Sequence, residues 1–152
     1  MELVGRLREM GEIRQLLEQA DAGLGGLIVI AGPPGSGKTA IANAAADEAR
    51  RRGFEVMRAS PARGQHGRWV WAQLLNDLGD PDGEAARLLG AAPPFDLDAA
   101  ARRLGSGARR VIVVDDIDRG GPQAIELLAM VAGRLVAAST AMVATEEDGS
   151  QT

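Results

Sequence analysis

The chain has no cysteine and no tyrosine, and His66 is its one histidine. The first absence excludes disulfides and thiolate metal sites, and a lone histidine cannot build an imidazole metal centre. Aromatic residues make up 3% of the sequence, too few for a base-stacking platform. The segment lacks an apolar run of about 18 residues that could span a bilayer. Met1-Glu2-Leu3-Val4-Gly5-Arg6 does not have the basic-then-apolar layout of a secretion signal. The expectation is a cytoplasmic protein without membrane contact. A net charge of −4 argues against direct nucleic-acid binding by this segment, because displacing phosphate counterions needs a basic surface.

Lysine is almost absent as well. Lys38 is the single lysine among 17 basic residues. It falls in Gly32-Pro33-Pro34-Gly35-Ser36-Gly37-Lys38-Thr39, a G-x-x-x-x-G-K-[ST] pattern. A compact ammonium on a flexible stem can follow phosphate oxygens as a point charge, whereas a guanidinium fork fills such a loop differently. The flanks have the required character. Leu27-Ile28-Val29-Ile30-Ala31 reads as a buried strand. Ala40 through Ala49 is built of strong helix formers, followed by Arg50-Arg51-Arg52 and Gly53, the charge and the breaker expected at a helix C-terminus. A strand, a glycine-rich bend and a helix N-terminus together make an anion cradle. Pro34, Gly35, Ser36, Gly37, Lys38, Thr39 and Ala40 would surround the phosphates, with Lys38 on the transferring groups and the Thr39 hydroxyl on Mg²⁺.

With 45% hydrophobic residues over 152 positions, one domain with one core is expected, covering 1–152. Met10, Ile13, Leu16, Leu17 and Ala20 recur at helical spacing and predict a helix over about 7–22. Glu55–Ala59 reads as a second strand, Arg68–Leu78 as a helix, and Ala85–Leu89 and Leu97–Leu104 as short helices. Val111–Val114 is a third strand, Pro122 opens a helix through about Arg134, and Ala141–Thr145 is a fourth strand, with Glu146–Thr152 a polar, frayed end. Strands alternating with helices imply a parallel α/β sheet with right-handed crossovers.

Four apolar residues, Val111-Ile112-Val113-Val114, end in Asp115-Asp116, the Walker B arrangement. Ligands of open parallel sheets bind at the edge where such a strand delivers its carboxylates. Mg²⁺ takes hard oxygen donors and keeps much of its water, so a single carboxylate suffices, and Asp115 is assigned to it. Asp116 would orient or deprotonate an attacking water. Thr145 stands where a γ-phosphate sensor would, although a plain strand-end threonine explains it equally well. Glu146 and Glu147 would point away from a triphosphate. His66, Trp69 and Trp71 are read as loop and packing residues, and Arg102-Arg103 and Arg109-Arg110 as solvated faces.

Several segments together resemble the ATPase domain of large LuxR-type transcriptional regulators, within the STAND class of AAA+-related P-loop ATPases. Leu3-Val4-Gly5-Arg6 resembles the opening of those domains, and Glu9 and Leu16-Leu17 fit the helix after it. Gly53-Phe54-Glu55-Val56 and Trp69-Val70-Trp71-Ala72-Gln73-Leu74-Leu75 resemble their second strand and next segment. Asp115-Asp116-Ile117-Asp118 with Pro122, Leu127 and Leu128 resembles their Walker B strand and following helix. The resemblance implies a three-layer P-loop NTPase fold with a sheet of at least four strands, and an ATP-binding, slowly hydrolysing switch that uses Mg²⁺. It also places Val4, Gly5 and Arg6 near the adenine. The C-terminal fifth strand and helical lid of such a core are missing from this segment, which reads as an excised fragment of a larger regulator or as a degenerate stand-alone protein. Either way, one flank of the first strand is left open to self-association or to further domains of a larger chain. Two other readings stay open: a small-molecule P-loop kinase, and a non-catalytic interaction module that retains a nucleotide fold.

Overall fold

The computed structural model describes residues 7–33, 37–61, 73–74, 97–105 and 109–147. Helix α1 spans Leu7–Asp21, strand β1 Gly26–Gly32, helix α2 Lys38–Arg51 and strand β2 Glu55–Ala59. Helix α3 follows at Leu97–Gly105, then strand β3 at Arg110–Val114 and a 3₁₀ turn at Ile117–Gly120. Helix α4, Pro122–Arg134, and strand β4, Thr140–Glu147, complete the described residues. The expected helix at 85–89 lies outside these residues, as does nearly all of that at 68–78. Gln73 and Leu74 of the latter are helical, with Leu74 fully buried.

The strands form one parallel sheet in the order β1-β4-β3-β2. All five residues of β3 are buried, as its nearly unbroken apolar sequence requires for a strand covered on both faces. Alternation divides the core in two. Val111 and Val113 of β3 and Ala141 and Val143 of β4 face α1 and α2, where Ile13, Leu17, Ile41 and Ala45 are buried. Ile112, Val114, Met142 and Ala144 face α3 and α4, against Leu104, Leu128 and Val131. The period of two puts successive side chains on opposite faces, so each strand serves both helical layers. The result is the α/β, three-layer architecture expected of the sequence. Among the described residues β1 lies at a sheet edge, with Val29 exposed.

Two expectations need correction. β4 does not end at Thr145. It continues through Glu147, whose partner across β1 is Gly32, and the Glu147 N–H donates to Asp118 Oδ1 at 3.0 Å. Backbone pairing and this side-chain acceptor override the polar character of Glu146 and Glu147. Arg110 is not on a solvated face. Its side chain is buried, with Nε donating to Glu55 Oε1 at 3.0 Å and Nη1 donating to the Leu104 carbonyl. Placing a guanidinium at the first position of the central strand buries it, and the charge is retained because a carboxylate and a carbonyl meet it.

Gly25, just before β1, marks a close approach of two backbones. Its N–H donates to the Val136 carbonyl at 3.0 Å, and a Cβ there would meet the Leu135 carbonyl oxygen at 2.1 Å. Neither backbone atom can rotate away. Gly25→Ala should therefore lower stability by roughly 1–3 kcal/mol, the range for overpacking, read as a lower midpoint in urea denaturation with an unchanged slope. A midpoint equal to the wild type's would show that the entry to β1 is looser than this contact implies.

Candidate functional site

Because all the strands run parallel, β1, β3 and β4 point their C-terminal ends toward one edge. Val114 pairs with Ala144, and Thr145, the next residue of β4, pairs with Ile30 of β1. The glycine-rich bend after β1 and the acidic pair after β3 thus emerge on the same side, with one strand between them, about 10 Å apart by the usual strand spacing. The sequence could not give this order. Two Walker strands separated by a third is a property of the sheet.

Gly37 caps α2 at φ 91°, in the left-handed region, and no side chain caps the helix. Its first N–H groups are left for the bend and for whatever lies above it. A side chain at this φ would be strained, which accounts for glycine immediately before the lysine. Lys38 is 8% exposed, and its ammonium donates to the Gly32 carbonyl at 2.7 Å. The charge is tethered across the mouth of the bend, since a nearly buried ammonium needs an acceptor. Thr39 is exposed and Ala40 half-buried in the first turn of α2. Pro34, Gly35, Ser36, Val4, Gly5 and Arg6 lie outside the described residues.

Asp115 continues the β3 ladder, its N–H donating to the Ala59 carbonyl at 2.9 Å. Its carboxylate is held by Arg58 of β2 in a two-pronged ion pair, Nε to Oδ2 at 2.7 Å and Nη2 to Oδ1 at 3.0 Å. The remaining prong, Nη1, donates to Asn43 Oδ1 of α2 at 2.7 Å. The hydrogen bonds to Asp115 raise the Arg58 pKa further, against the opposing effect of burial. Asp116 sits at φ 53° and ψ 49°, the one described non-glycine residue with a positive φ. Asp tolerates this region better than most residues. Its N–H donates to Thr145 Oγ1 at 2.9 Å, fixing the bend between β3 and the 3₁₀ turn. Arg119 Nη2 lies 3.8 Å from Asp116 Oδ2.

The described residues therefore bring together Gly37, Lys38, Thr39, Ala40, Asp115, Asp116 and Thr145. Sequence reasoning missed Arg58. Its position was visible: on β2, Val56 and Arg58 share one face while Met57 and Ala59 take the other. Its partner was not, because β2 pairing with β3 is a tertiary fact. Hard oxygen donors are present for a divalent cation in the Asp115 carboxylate and the Thr39 hydroxyl. No group of three or more metal-ligating His, Cys, Asp or Glu side chains occurs among the described residues. That donor set fits a cation which takes its other ligands from water and phosphate rather than from a protein cage.

A strand–bend–helix phosphate loop and an acidic strand end, separated by an inserted parallel strand, define a P-loop ATPase core. The sequence profile of the AAA ATPase domain family (AAA_16) matches residues 2–143, and the chain belongs to that family. No curated protein sequence matches it. Solved structures of similar fold include Drosophila ORC bound to DNA, at 18% identity and TM-score 0.68, over 95% of this chain and 38% of that one. AMPPCP-bound DnaA from Aquifex aeolicus aligns at 17% identity and TM-score 0.58, over 99% and 41%. C. elegans PCH-2 aligns at 14% and 0.51, over 95% and 38%. The segment thus spans about two-fifths of each of these chains. Among the described residues no helix is long and apolar enough to cross a membrane.

Thr145 is 2% exposed, so removing its hydroxyl would leave the Asp116 N–H without its acceptor. Thr145→Val should cost about 1–3 kcal/mol, the penalty for an unsatisfied buried donor, while Thr145→Ser should recover most of it. Urea denaturation of both variants checks this, and equal stability of the two would remove the hydrogen bond from the account.

Proposed function

We propose that residues 1–152 form one nucleotide-binding domain, an ATP-binding, Mg²⁺-dependent and slowly hydrolysing switch of a regulatory ATPase. The observation that carries the reading is the buried Lys38 ammonium at the mouth of the bend, on the same sheet edge as Asp115, Asp116 and Thr145. The family match supports the ATPase class. The LuxR-type, STAND-class assignment rests on the segments from Leu3-Val4-Gly5-Arg6 through Leu127-Leu128 that resemble those regulators.

In this reading Lys38 leaves the Gly32 carbonyl for the β- and γ-phosphate oxygens, a stronger, charge-assisted partner. The bend from Pro34 to Gly37 and the first turn of α2 through Ala40 enclose the phosphates. Val4, Gly5 and Arg6 read the adenine edge with their backbone groups. Thr39 and Asp115 hold the cation, which supplies charge neutralisation at the phosphate oxygens when bound. Asp116 positions a water and accepts its proton. Thr145 already accepts a hydrogen bond from the Asp116 N–H, and its own hydroxyl proton would be offered to a phosphate oxygen. One residue would then couple the state of the γ-phosphate to the acidic turn, which is what a switch requires. Further domains of a larger chain, or a second copy, would read that state.

Titration with ATP, ADP and GTP, with and without Mg²⁺, tests the reading directly. Lys38→Ala should weaken triphosphate binding at least tenfold, about 1.4 kcal/mol, for loss of one charge-assisted contact. Unaltered affinity would reject the site. Chelating the cation with EDTA should weaken ATP binding more than ADP binding, because the γ-phosphate adds charge that the cation neutralises. The non-catalytic module remains a second reading because both Asp115 oxygens are taken by Arg58. Asp116→Asn should abolish ATP turnover with little effect on binding. A wild type with no turnover to lose would favour the module.

A further inference from the structure

Arg58 has no role in the reaction outlined above, yet all three of its guanidinium nitrogens are engaged beside that site. Two hold both oxygens of Asp115 and the third holds Asn43. Asn43 lies one helical turn beyond Thr39, on the same face of α2. Thr39 and Asp115 are the two residues assigned to the cation, so one guanidinium spans the two elements that supply the cation's protein ligands. The Arg58 side chain is 33% exposed and that of Asp115 20%. The pair is part-exposed to water. A pair of this exposure is worth a factor of a few to about tenfold in an equilibrium constant. A divalent cation bridged to a triphosphate can outcompete it.

We propose that Arg58 is a built-in competitor of Mg²⁺: a latch that occupies Asp115 in the nucleotide-free domain and is displaced when the Mg²⁺–triphosphate complex is engaged. The inference rests on Asp115 being the cation's carboxylate. Its consequence is a threshold. The domain responds to the Mg²⁺ complex of the nucleotide less readily than the acidic pair alone would allow, and Arg58 sets how much less. The Asn43 contact keeps the released guanidinium beside the site, where it re-latches when the cation leaves.

The test is a Mg²⁺ titration of the 152-residue chain at a fixed, sub-saturating concentration of a fluorescent ATP analogue, with parallel nucleotide titrations in EDTA. Arg58→Gln should lower the half-saturating Mg²⁺ concentration by about three- to tenfold, and leave nucleotide affinity in EDTA within about twofold of wild type. Arg58→Lys keeps the charge without the fork and should fall between. If Arg58→Gln does not fold, Arg58→Lys alone carries the comparison. Thermal melts give an independent readout. The gap in melting temperature between wild type and either variant should shrink at saturating Mg²⁺–ATP, since the wild type has by then also lost its ion pair. A purely structural Arg58 would keep that gap constant. An unchanged Mg²⁺ curve in a variant that binds nucleotide, or an unchanged gap, would overturn the latch and leave the ATP site standing. A wild type that binds no nucleotide under either condition would overturn the ATP site, and the latch with it.

Discussion

The site depends on β4 lying in parallel register between β1 and β3. This pairing fixes the lateral distance between the phosphate loop and the acidic pair. It also places Thr145 beside the turn that Asp116 makes. The pairing is possible because Ala141, Met142, Val143 and Ala144 can be buried on both faces. The two smaller alanines lie on opposite faces of the strand, so each helical layer meets one large and one small residue from it. Charge anywhere along 141–144 would leave an uncompensated buried group and separate the two halves of the site.

Each described ionic group at this edge that would meet a ligand has a partner of its own. Lys38 has the Gly32 carbonyl, Asp115 has Arg58, and Asp116 has Arg119 nearby. Ligand engagement there would be an exchange of partners, not an addition of contacts. This bears on energetics. The net gain from any new contact is its strength less that of the one given up, so modest affinities and large partner changes go together. Exchange is also how a bound phosphate could be felt away from the phosphates: freeing Asp115 would break the tie that the Arg58 guanidinium makes between the end of β3 and α2.

Much of the architecture was legible in the sequence. β2 and α4 span the residues their patterns mark, and α1 and β1 agree with expectation to within a residue or so at either end. Periodicity and breakers carry that much because they act over neighbouring residues. The acidic pair and the lysine loop were legible as motifs, since their chemistry constrains spacing along the chain. What was not legible depends on which strands are neighbours. Arg58 reads as one more arginine of an arginine-rich chain until β2 is set against β3. Arg110 reads as a surface residue until it is found at the start of the central strand, with Glu55 across the ladder. Glu146 and Glu147 read as a polar tail because composition is silent about the backbone partner that β1 supplies. In each case a long-range pairing overrode a local preference, as strand propensities commonly allow.

The two ends of the sheet hold their charged groups differently. At the N-terminal edge, Arg110 is buried against Glu55 and the Leu104 carbonyl, which also accepts from Thr140 Oγ1 at 3.3 Å. Arg109 pairs with Asp21 and lies over the Phe54 ring, 5.0 Å from its centroid. Gly25 is pressed against the Leu135 backbone. These contacts join α1, β2, α3 and β3, with the Arg110 guanidinium sealed from solvent at 6% exposed and the Arg109–Asp21 pair open to it. At the C-terminal edge the partners of the charged groups are the carbonyl of Gly32, at the end of β1, and the arginines Arg58 and Arg119, 33% and 43% exposed, which a phosphate or a hard cation could replace. A domain that must hold its shape while changing its ligand state needs both kinds of edge. The buried Arg110 contacts and the close Gly25 approach at one end would let part-exposed contacts at the other exchange without unravelling the sheet.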